Sequence, residues 1–379
     1  MKININKKEL TNLTNMVYRA ASNKNTIPVL SGLLIKTDES EGLIITATDM
    51  EIGIKASTSN LEVLKEGTVL VNAHYFTDFI KLLPDRLITM EFNEEKAKLK
   101  IQYGRSTSYI NTYPSGEYPD LLLDKIQQKF AIPQKTLKEG LRKTYFAASL
   151  THFRQVFTGV LFDIKNDNIL KIVASDTHRL ACYSFILQEC ESEPFSFIIP
   201  TRTVNELLRI LDDTDEIINI ALCANNVVFL KNNFILQSRI IEGQYPNYDL
   251  VIPTNFVTTI KIKTSLLADT LERARTMPTG DKLKIQNVQL DISENEIEIN
   301  SFSEIMGEIK EVIEKVKIEG DKNLKISFNT NYFLDIIKNL NMECEECEIK
   351  LSGMLGPSLI TNPDKDNYLY VLVPLRTAK

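Results

Sequence analysis

The chain repeats itself at a fixed interval. Tyr18, Ala20, Ala21 and Ser22 return as Tyr145, Ala147, Ala148 and Ser149, Thr48-Asp49 returns as Ser175-Asp176, and Gly116, Tyr118 and Pro119 return as Gly243, Tyr245 and Pro246, each 127 residues later. Val17 and Ala20 recur once more, at twice that pitch, as Leu271 and Ala274. Duplication at one pitch over such length implies a unit that folds alike each time, so the 379 residues are read as three copies of one domain. Boundaries are expected after the Tyr-Pro segments, giving 1–129, 130–254 and 255–379, where Ile132-Pro133 and Ile252-Pro253 interrupt regular structure.

Each copy opens and closes half of its length with a helix. Leu10, Leu13, Val17 and Ala20, then Leu137, Leu141, Tyr145 and Ala148, then Leu267, Leu271 and Ala274 form apolar stripes at spacings of three and four. The second helix carries Phe76, Phe79, Ile80 and Leu83, repeated as Val204, Leu207, Leu208 and Leu211 and as Phe333, Ile336, Ile337 and Leu340. Between helices the pattern turns to period two or short β-branched runs, as at 42–46, 168–173 and 294–299, with polar turns at 93–96 and 165–168. Strands outnumber helices, which predicts an α+β fold, antiparallel sheets with two helices to one side in every copy.

Charge is distributed unevenly. The chain has 44 Lys or Arg and 50 Asp or Glu, a net charge of −6, yet its six helices sum to +7 and the remainder to −13. Basic helices on an acidic protein point to an anionic partner, although Lys and Arg also suit any solvated helix face. Without aromatic clusters or base-reading motifs, the expected contact is with phosphate and carries no sequence preference.

Catalytic signatures are missing. No phosphate loop, dinucleotide fingerprint, nucleophile elbow or His-Glu-x-x-His motif occurs, and His74, His152 and His178 lie on separate segments. Ser175-Asp176-Thr177-His178-Arg179 holds triad residue types, but triads assemble from distant segments, so a turn braced by Asp176 is expected. Cys344 and Cys347 are one close pair among five cysteines, insufficient for zinc, and no metal or cofactor is predicted. No apolar run is long enough to span a membrane and the first residues do not read as a signal peptide, so a soluble cytoplasmic protein is expected.

The combination of Asn25-Thr26-Ile27-Pro28-Val29-Leu30, Ala47-Thr48-Asp49-Met50-Glu51, Ala174 to Leu180, Tyr245-Pro246-Asn247-Tyr248 and Leu372-Val373-Pro374-Leu375-Arg376 resembles the bacterial DNA polymerase III β subunit family, the sliding clamps, in order and over the full length. The resemblance implies a three-domain crescent that pairs head to tail with a second copy around double-stranded DNA. Helices would line the hole, with Lys24, Lys138, Arg142 and Arg202 toward DNA. It also implies a pocket for short peptide motifs of the replicative polymerase catalytic subunit, the clamp loader and other clamp-motif proteins.

That pocket would be formed by Phe157, Ser175, Thr177, His178, Arg179, Leu180, Pro246, Val251, Val371, Val373 and Pro374, adjoined by Arg154, Tyr332, Leu355, Pro357, Leu375 and Arg376. Thr177, Leu250 and the extension Thr377 to Lys379 depart from many relatives. For the homodimer, Lys96, Lys98 and Lys100 with Arg105 are expected to face Glu294, Glu296, Glu298, Glu304 and Glu308 of the other copy, opposite charge setting the polarity. Two other readings stay open: a repeat-built scaffold without a DNA partner, and an enzyme using Asp176 and His178.

Overall fold

The computed structural model describes residues 1–22, 27–38, 40–121, 125–151, 153–188, 193–277, 286–303 and 306–376. Lys24, His152, Glu304 and the extension 377–379 lie outside these residues. Six α-helices are present among them: α1 (Lys7–Val17), α2 (Ala73–Leu82), α3 (Gln134–Thr144), α4 (Thr201–Ile210), α5 (Thr264–Ala274) and α6 (Thr330–Asn341). They fall in pairs at the repeat interval, and a 3-10 turn continues α1 as Tyr18–Ala20 and α3 as Tyr145–Ala147.

The helices form where the apolar spacing places them. Leu10, Leu13 and Val17 of α1 are buried, as are Leu267, Leu271 and Ala274 of α5. In α6 the whole Phe333, Ile336, Ile337, Leu340 set is buried, each side chain contributing about 1.5–3 kcal/mol. The Asn72 side chain caps α2 by accepting the Tyr75 amide (3.0 Å), and Asn329 caps α6 by accepting those of Asn331 and Tyr332 (3.0 and 3.3 Å). Pro200 precedes α4, where a missing amide costs nothing.

The chain divides into two compact units. One is built mainly from Met1–Lys138 and Arg202–Ile240. Within it, strands Leu61–Lys65, Lys2–Asn6, Leu87–Asn93, Lys98–Tyr103 and Ser106–Asn111 form a five-stranded antiparallel sheet in that order. An eight-stranded sheet runs Gln128–Pro133, Ile217–Leu222, Asn226–Lys231, Phe234–Arg239, Ile52–Thr58, Gly42–Thr48, Gly32–Asp38 and Thr68–Asn72. Helix α1 packs on α2 and on strands Gly42–Thr48 and Ile52–Thr58.

The other unit comprises Glu139–Ile186, Glu193–Thr201 and Ile241–Lys379. Its nine-stranded sheet runs Phe195–Pro200, Gly159–Ile164, Ile169–Ser175, Arg179–Ile186, Tyr368–Leu372, Ser358–Thr361, Glu346–Leu351, Thr258–Lys263 and Lys317–Gly320. A second sheet holds Gly307–Glu314, Glu296–Ser303, Asn287–Ile292 and Leu324–Asn329, and α5 packs on α6.

The sequence pattern assigns every repeat its own sheets, whereas the sheets are shared. Strand Phe234–Arg239 of the middle repeat pairs with Ile52–Thr58 of the first, and Arg179–Ile186 pairs with Tyr368–Leu372 of the third. Pairing satisfies backbone groups that would otherwise stand open at an edge, so the middle repeat contributes half of its strands to each unit. Helix α3 seats tightly: a Cβ on Gly140 would come within 2.8 Å of Ile172 Cδ1 and Tyr183 Cδ1, which accounts for a glycine inside a helix.

Candidate functional site

Strands Ile169–Ser175 and Arg179–Ile186 pair with Ser175 opposite Leu180, so the chain must reverse within three residues. Thr177 takes the left-handed conformation (φ 75°) that the reversal needs. Ser175 Oγ donates to the Arg179 carbonyl (2.7 Å) and accepts the Thr177 amide (3.2 Å), while Asp176 Oδ1 accepts the amides of His178 and Arg179 at 3.0 and 2.9 Å. The Ser, Asp and His of this segment are thus the parts of a hydrogen-bonded turn.

Arg179, expected among the pocket residues, is itself almost enclosed. Its Nε donates to Asp176 Oδ2 (3.1 Å), Nη1 to Asp335 Oδ2 (2.6 Å) and Nη2 to the Phe146 carbonyl (2.6 Å). The guanidinium lies 4.3 Å from the Tyr332 ring centre, and the exposed His178 ring stacks against the same tyrosine at 6.2 Å. Burial, with Asp176 nearby, raises the Tyr332 phenol above its ordinary range. Arg179 therefore braces a wall whose accessible face is His178 and Tyr332.

Next to this turn lies an apolar floor. Phe157, Leu180 and Val371 belong to one buried cluster with Val156, Leu161, Val173 and Tyr248, against which Tyr245 and Leu359 are half-buried. Leu180 pairs with Val371 across the sheet, the Val373 amide donates to the His178 carbonyl (2.9 Å), and the Leu375 amide donates to the Ser327 carbonyl (2.7 Å). The structure brings together Phe157, Ser175, Thr177, His178, Arg179, Leu180, Tyr332, Val371 and Val373. Pro246 and Val251 flank the buried Tyr248, and Pro374 is buried beside the half-buried Leu375. Arg154, Leu355 and Arg376 are exposed, Leu355 in the loop after strand Glu346–Leu351 with Pro357 half-buried. Exposed Phe153, Leu250 and Met354 are further apolar side chains on these segments.

The described helix cations expected at DNA are each held by an acid of the protein itself. Lys138 pairs with Asp213 (3.1 Å), Arg142 with Glu343 (3.3 Å), and Arg202 with Asp49 and the Arg19 carbonyl. Lys143, one of the basic residues of α3, is 2% exposed and bonded to Glu343 at 2.5 Å, so it presents nothing to solvent.

Of the residues expected at a dimer contact, Lys98 and Lys100 occupy the strand next to the edge, and the edge itself is Ser106–Asn111. Lys96 and Arg105 sit in turns, and Glu294 precedes its strand. Glu298 is paired with Lys310 (2.7 Å), and Glu308 lies on the edge strand Gly307–Glu314. The apolar spacing sets Phe79 in the buried stripe of α2, whereas it is half-buried and belongs to an aromatic face beside the first edge. Tyr75 stacks on Phe79 (6.4 Å), Phe79 meets Tyr103 edge-on (6.3 Å), and Leu82 and Tyr109 are exposed. Its signal is a second stripe, Tyr75, Phe79 and Leu82, one residue out of step with the buried Phe76, Ile80 and Leu83.

Four cysteines are described and all are buried. Burial pushes the Cys347 thiol up to about 12, and among the described residues no three His, Cys, Asp or Glu side chains converge on a metal position. Among the described residues no helix is long and apolar enough to cross a membrane.

Family models of the DNA polymerase III beta subunit match in sequence order: its N-terminal domain over residues 1–123, central domain over 131–247 and C-terminal domain over 249–376. The chain is similar to the beta sliding clamp of Halalkalibacterium halodurans, 32% identical over 372 residues and 96% of each protein. It is also similar to that of Bacillus subtilis, 30% identical over the full length of both. Among solved structures it superposes on the DNA polymerase sliding clamp from Bacillus subtilis with a TM-score of 0.91 at 29% identity, covering all of both chains.

Proposed function

We propose that this chain, which belongs to the DNA polymerase III beta subunit family, works as a DNA sliding clamp, a processivity factor without catalytic activity that holds polymerase on duplex DNA. Two copies close head to tail into a ring, and double-stranded DNA passes through it. The single observation that carries this reading is the recurrence, along the whole chain and in family order, of one unit with a helix pair and antiparallel sheets.

In this reading the domains are 1–129, 130–254 and 255–379. Lys24, Lys138, Arg142 and Arg202 meet phosphates, and their contacts stay weak because enclosure holds the duplex. Clamp loader, replicative polymerase and other clamp-motif proteins attach by short peptides, an apolar side chain entering over Phe157, Leu180 and Val371 while His178 and Tyr332 line the polar side. Tethering keeps the polymerase at high effective concentration near the primer end, without altering its chemistry. Ring closure uses the edge Ser106–Asn111 with its aromatic face and the edge Gly307–Glu314 with exposed Phe302 and Val312, and the charges of Lys98, Lys100, Arg105, Glu298 and Glu308 set the polarity. The clamp acts in the cytoplasm, where the chromosome is copied.

The test compares closed circular with linear duplex. Protein placed on circles by a clamp loader should stay bound through a high-salt wash and leave once the circle is cut. Equal loss from both forms would overturn the reading and favour a scaffold without a DNA partner, to which the net charge of −6 is better suited.

A further inference from the structure

Strand Leu61–Lys65 closes one side of the five-stranded sheet and has a single neighbour in it, Lys2–Asn6. Leu61 lies opposite Ile5 and Val63 opposite Ile3, so both continue the sheet face on which Ile3 and Ile5 are buried. Leu61 is only half-buried and Val63 is 38% exposed, with no further strand of the described residues beyond them. The register slips between Lys2 and Ile3, which leaves Leu64 as the extra residue of a bulge, 50% exposed. Glu62 is turned to Asn4, whose Nδ2 donates to it at 2.7 Å.

The third repeat carries the same edge in guarded form. Lys317–Gly320 pairs with Thr258–Lys263 as Leu61–Lys65 pairs with Lys2–Asn6, yet its exposed side chains are those of Lys317 and Glu319, and Ile318 is buried. Charge on an edge discourages pairing with a foreign strand. In the first repeat the middle of the edge is Val63 and Leu64, and a groove of about 400 Å³ lies against it, lined by Leu61, Val63, Leu64 and Glu66 and by Asp38 and Gly42 of the hairpin that joins Gly32–Asp38 to Gly42–Thr48. Asp38 Oδ1 accepts the amides of Ser40 (2.9 Å) and Glu41 (3.3 Å), neutral donors that leave its charge in place. Neither Asp38 nor Glu66 belongs to an ion pair among the described residues.

We propose that strand Leu61–Lys65 is a docking edge for an extended segment of a partner protein, one with aliphatic side chains at alternate positions and a Lys or Arg between them. The segment adds as a sixth strand. Its backbone meets the open N–H and C=O groups of the edge, its aliphatic side chains cover Leu61 and Val63, and its cation is drawn to Asp38 and Glu66. A helix laid on the same groove would leave the backbone groups of the edge unpaired, and an acidic strand would set like charges together.

The probes are acetylated, amidated heptapeptides. The first, Thr-Val-Lys-Ile-Thr-Val-Lys, alternates; a second has the same composition with its aliphatic residues adjacent, a third has its central amides N-methylated, and a fourth carries Glu in place of Lys. The protein is the full-length chain with ¹³C-methyl Leu and Val, observed by NMR. The alternating peptide at about 1 mM should shift the methyls of Val63 and Leu64 and leave those of Leu180 and Val371 in place. Val63→Thr, which keeps a β-branched residue in the strand, should weaken that binding by about fivefold, read at Leu64. Still methyls at Val63 and Leu64, an equal response to any of the other three peptides, or unchanged affinity in Val63→Thr overturns the proposal. A response at Leu180 and Val371 alone also overturns it, since the peptide would then sit at the other region. So does a native particle larger in light scattering than that of Val63→Lys, which would mean that a second copy covers the edge.

Discussion

Removing the charge of Glu343 should destabilise this protein far more than removing that of Lys143, although the two form one ion pair. Glu343 accepts from Lys143 (2.5 Å), Lys365 (3.2 Å), Arg142 (3.3 Å) and the Tyr368 hydroxyl (3.3 Å). Lys143 Nζ has Glu343, the more distant Glu139 (3.5 Å) and the face of Tyr368, 3.5 Å from the ring centre. In Glu343→Gln the ammonium stays buried with one carboxylate, a loss near the lower end of about 3–5 kcal/mol. That corresponds to roughly 6–12 °C in the transition of a unit this size. In Lys143→Met the thioether chain fills the same space and Glu343 keeps three donors, so the cost is about 1 kcal/mol or less.

The pH dependence separates the same two residues. Burial alone would raise the Glu343 carboxyl, but the bonds and charges of Lys143 and Lys365 hold it below its ordinary value. Its stabilisation is complete above the ordinary carboxylate range and is lost as pH falls through the lowered folded value. Burial lowers the Lys143 ammonium, against the pull of Glu343. The unfolded chain then keeps that proton to higher pH than the folded one, so stability rises with pH from the lowered value up to the ordinary lysine range. Calorimetry at pH 7 and 9.5 is the measurement. Glu343→Gln should recover part of its loss at the higher pH, and Lys143→Met should not. Equal losses for the two variants at pH 7, or no alkaline recovery, would refute the assignment of the cost to a stranded ammonium.

Three further outcomes are expected. Gly140→Val should cost about 1–3 kcal/mol in urea unfolding, since the new side chain meets Ile172 and Tyr183, while Gly116→Ala, with nothing within 4 Å, should be neutral. Cys182 and Cys347 are buried, and burial pushes their thiols up to about 11 and about 12, so neither should react with a thiol reagent at pH 8 until denaturant is added. Tyr109→Asp should shift the protein from dimer to monomer in light scattering at micromolar concentration, without change in its thermal transition.

Helices were legible because their signal is local. Phe333, Ile336, Ile337 and Leu340 declare a buried face within eight residues, and all four are buried. The Ser175–Arg179 turn was legible for the same reason, since Asp176 bonds amides two and three residues ahead. Sheet sharing was not, because Gln237 opposite Gly53 is set by packing between segments far apart in the chain, and an alternating strand reads alike whichever neighbour it finds. Lys143 misled for a related reason. Beside Arg142 on a basic helix it looks solvated, yet its partner lies 200 residues on. At the proposed peptide pocket, Phe157, Leu180 and Val371 became one buried cluster only in the fold, and the family resemblance, not spacing, grouped them beforehand.

The internal pairing of the helix cations bears directly on how a ring could slide. A lysine free in solvent that meets a phosphate releases a condensed counterion and adds about 0.9 to the salt slope of binding. Lys138 is already neutralised by Asp213, an exposed surface pair worth about 0–1 kcal/mol, so turning to a phosphate costs little but leaves a carboxylate facing the DNA. In the proposed ring, attraction and repulsion would nearly cancel, and the duplex would meet a surface with shallow electrostatic wells. Asp213→Asn should remove the repulsion, raise affinity for linear duplex and steepen its salt slope by about 0.9. It should also slow diffusion of loaded rings along DNA, measured by single-particle tracking, while their retention on circles stays the same. An unchanged slope together with unchanged diffusion would mean that Lys138 does not face DNA.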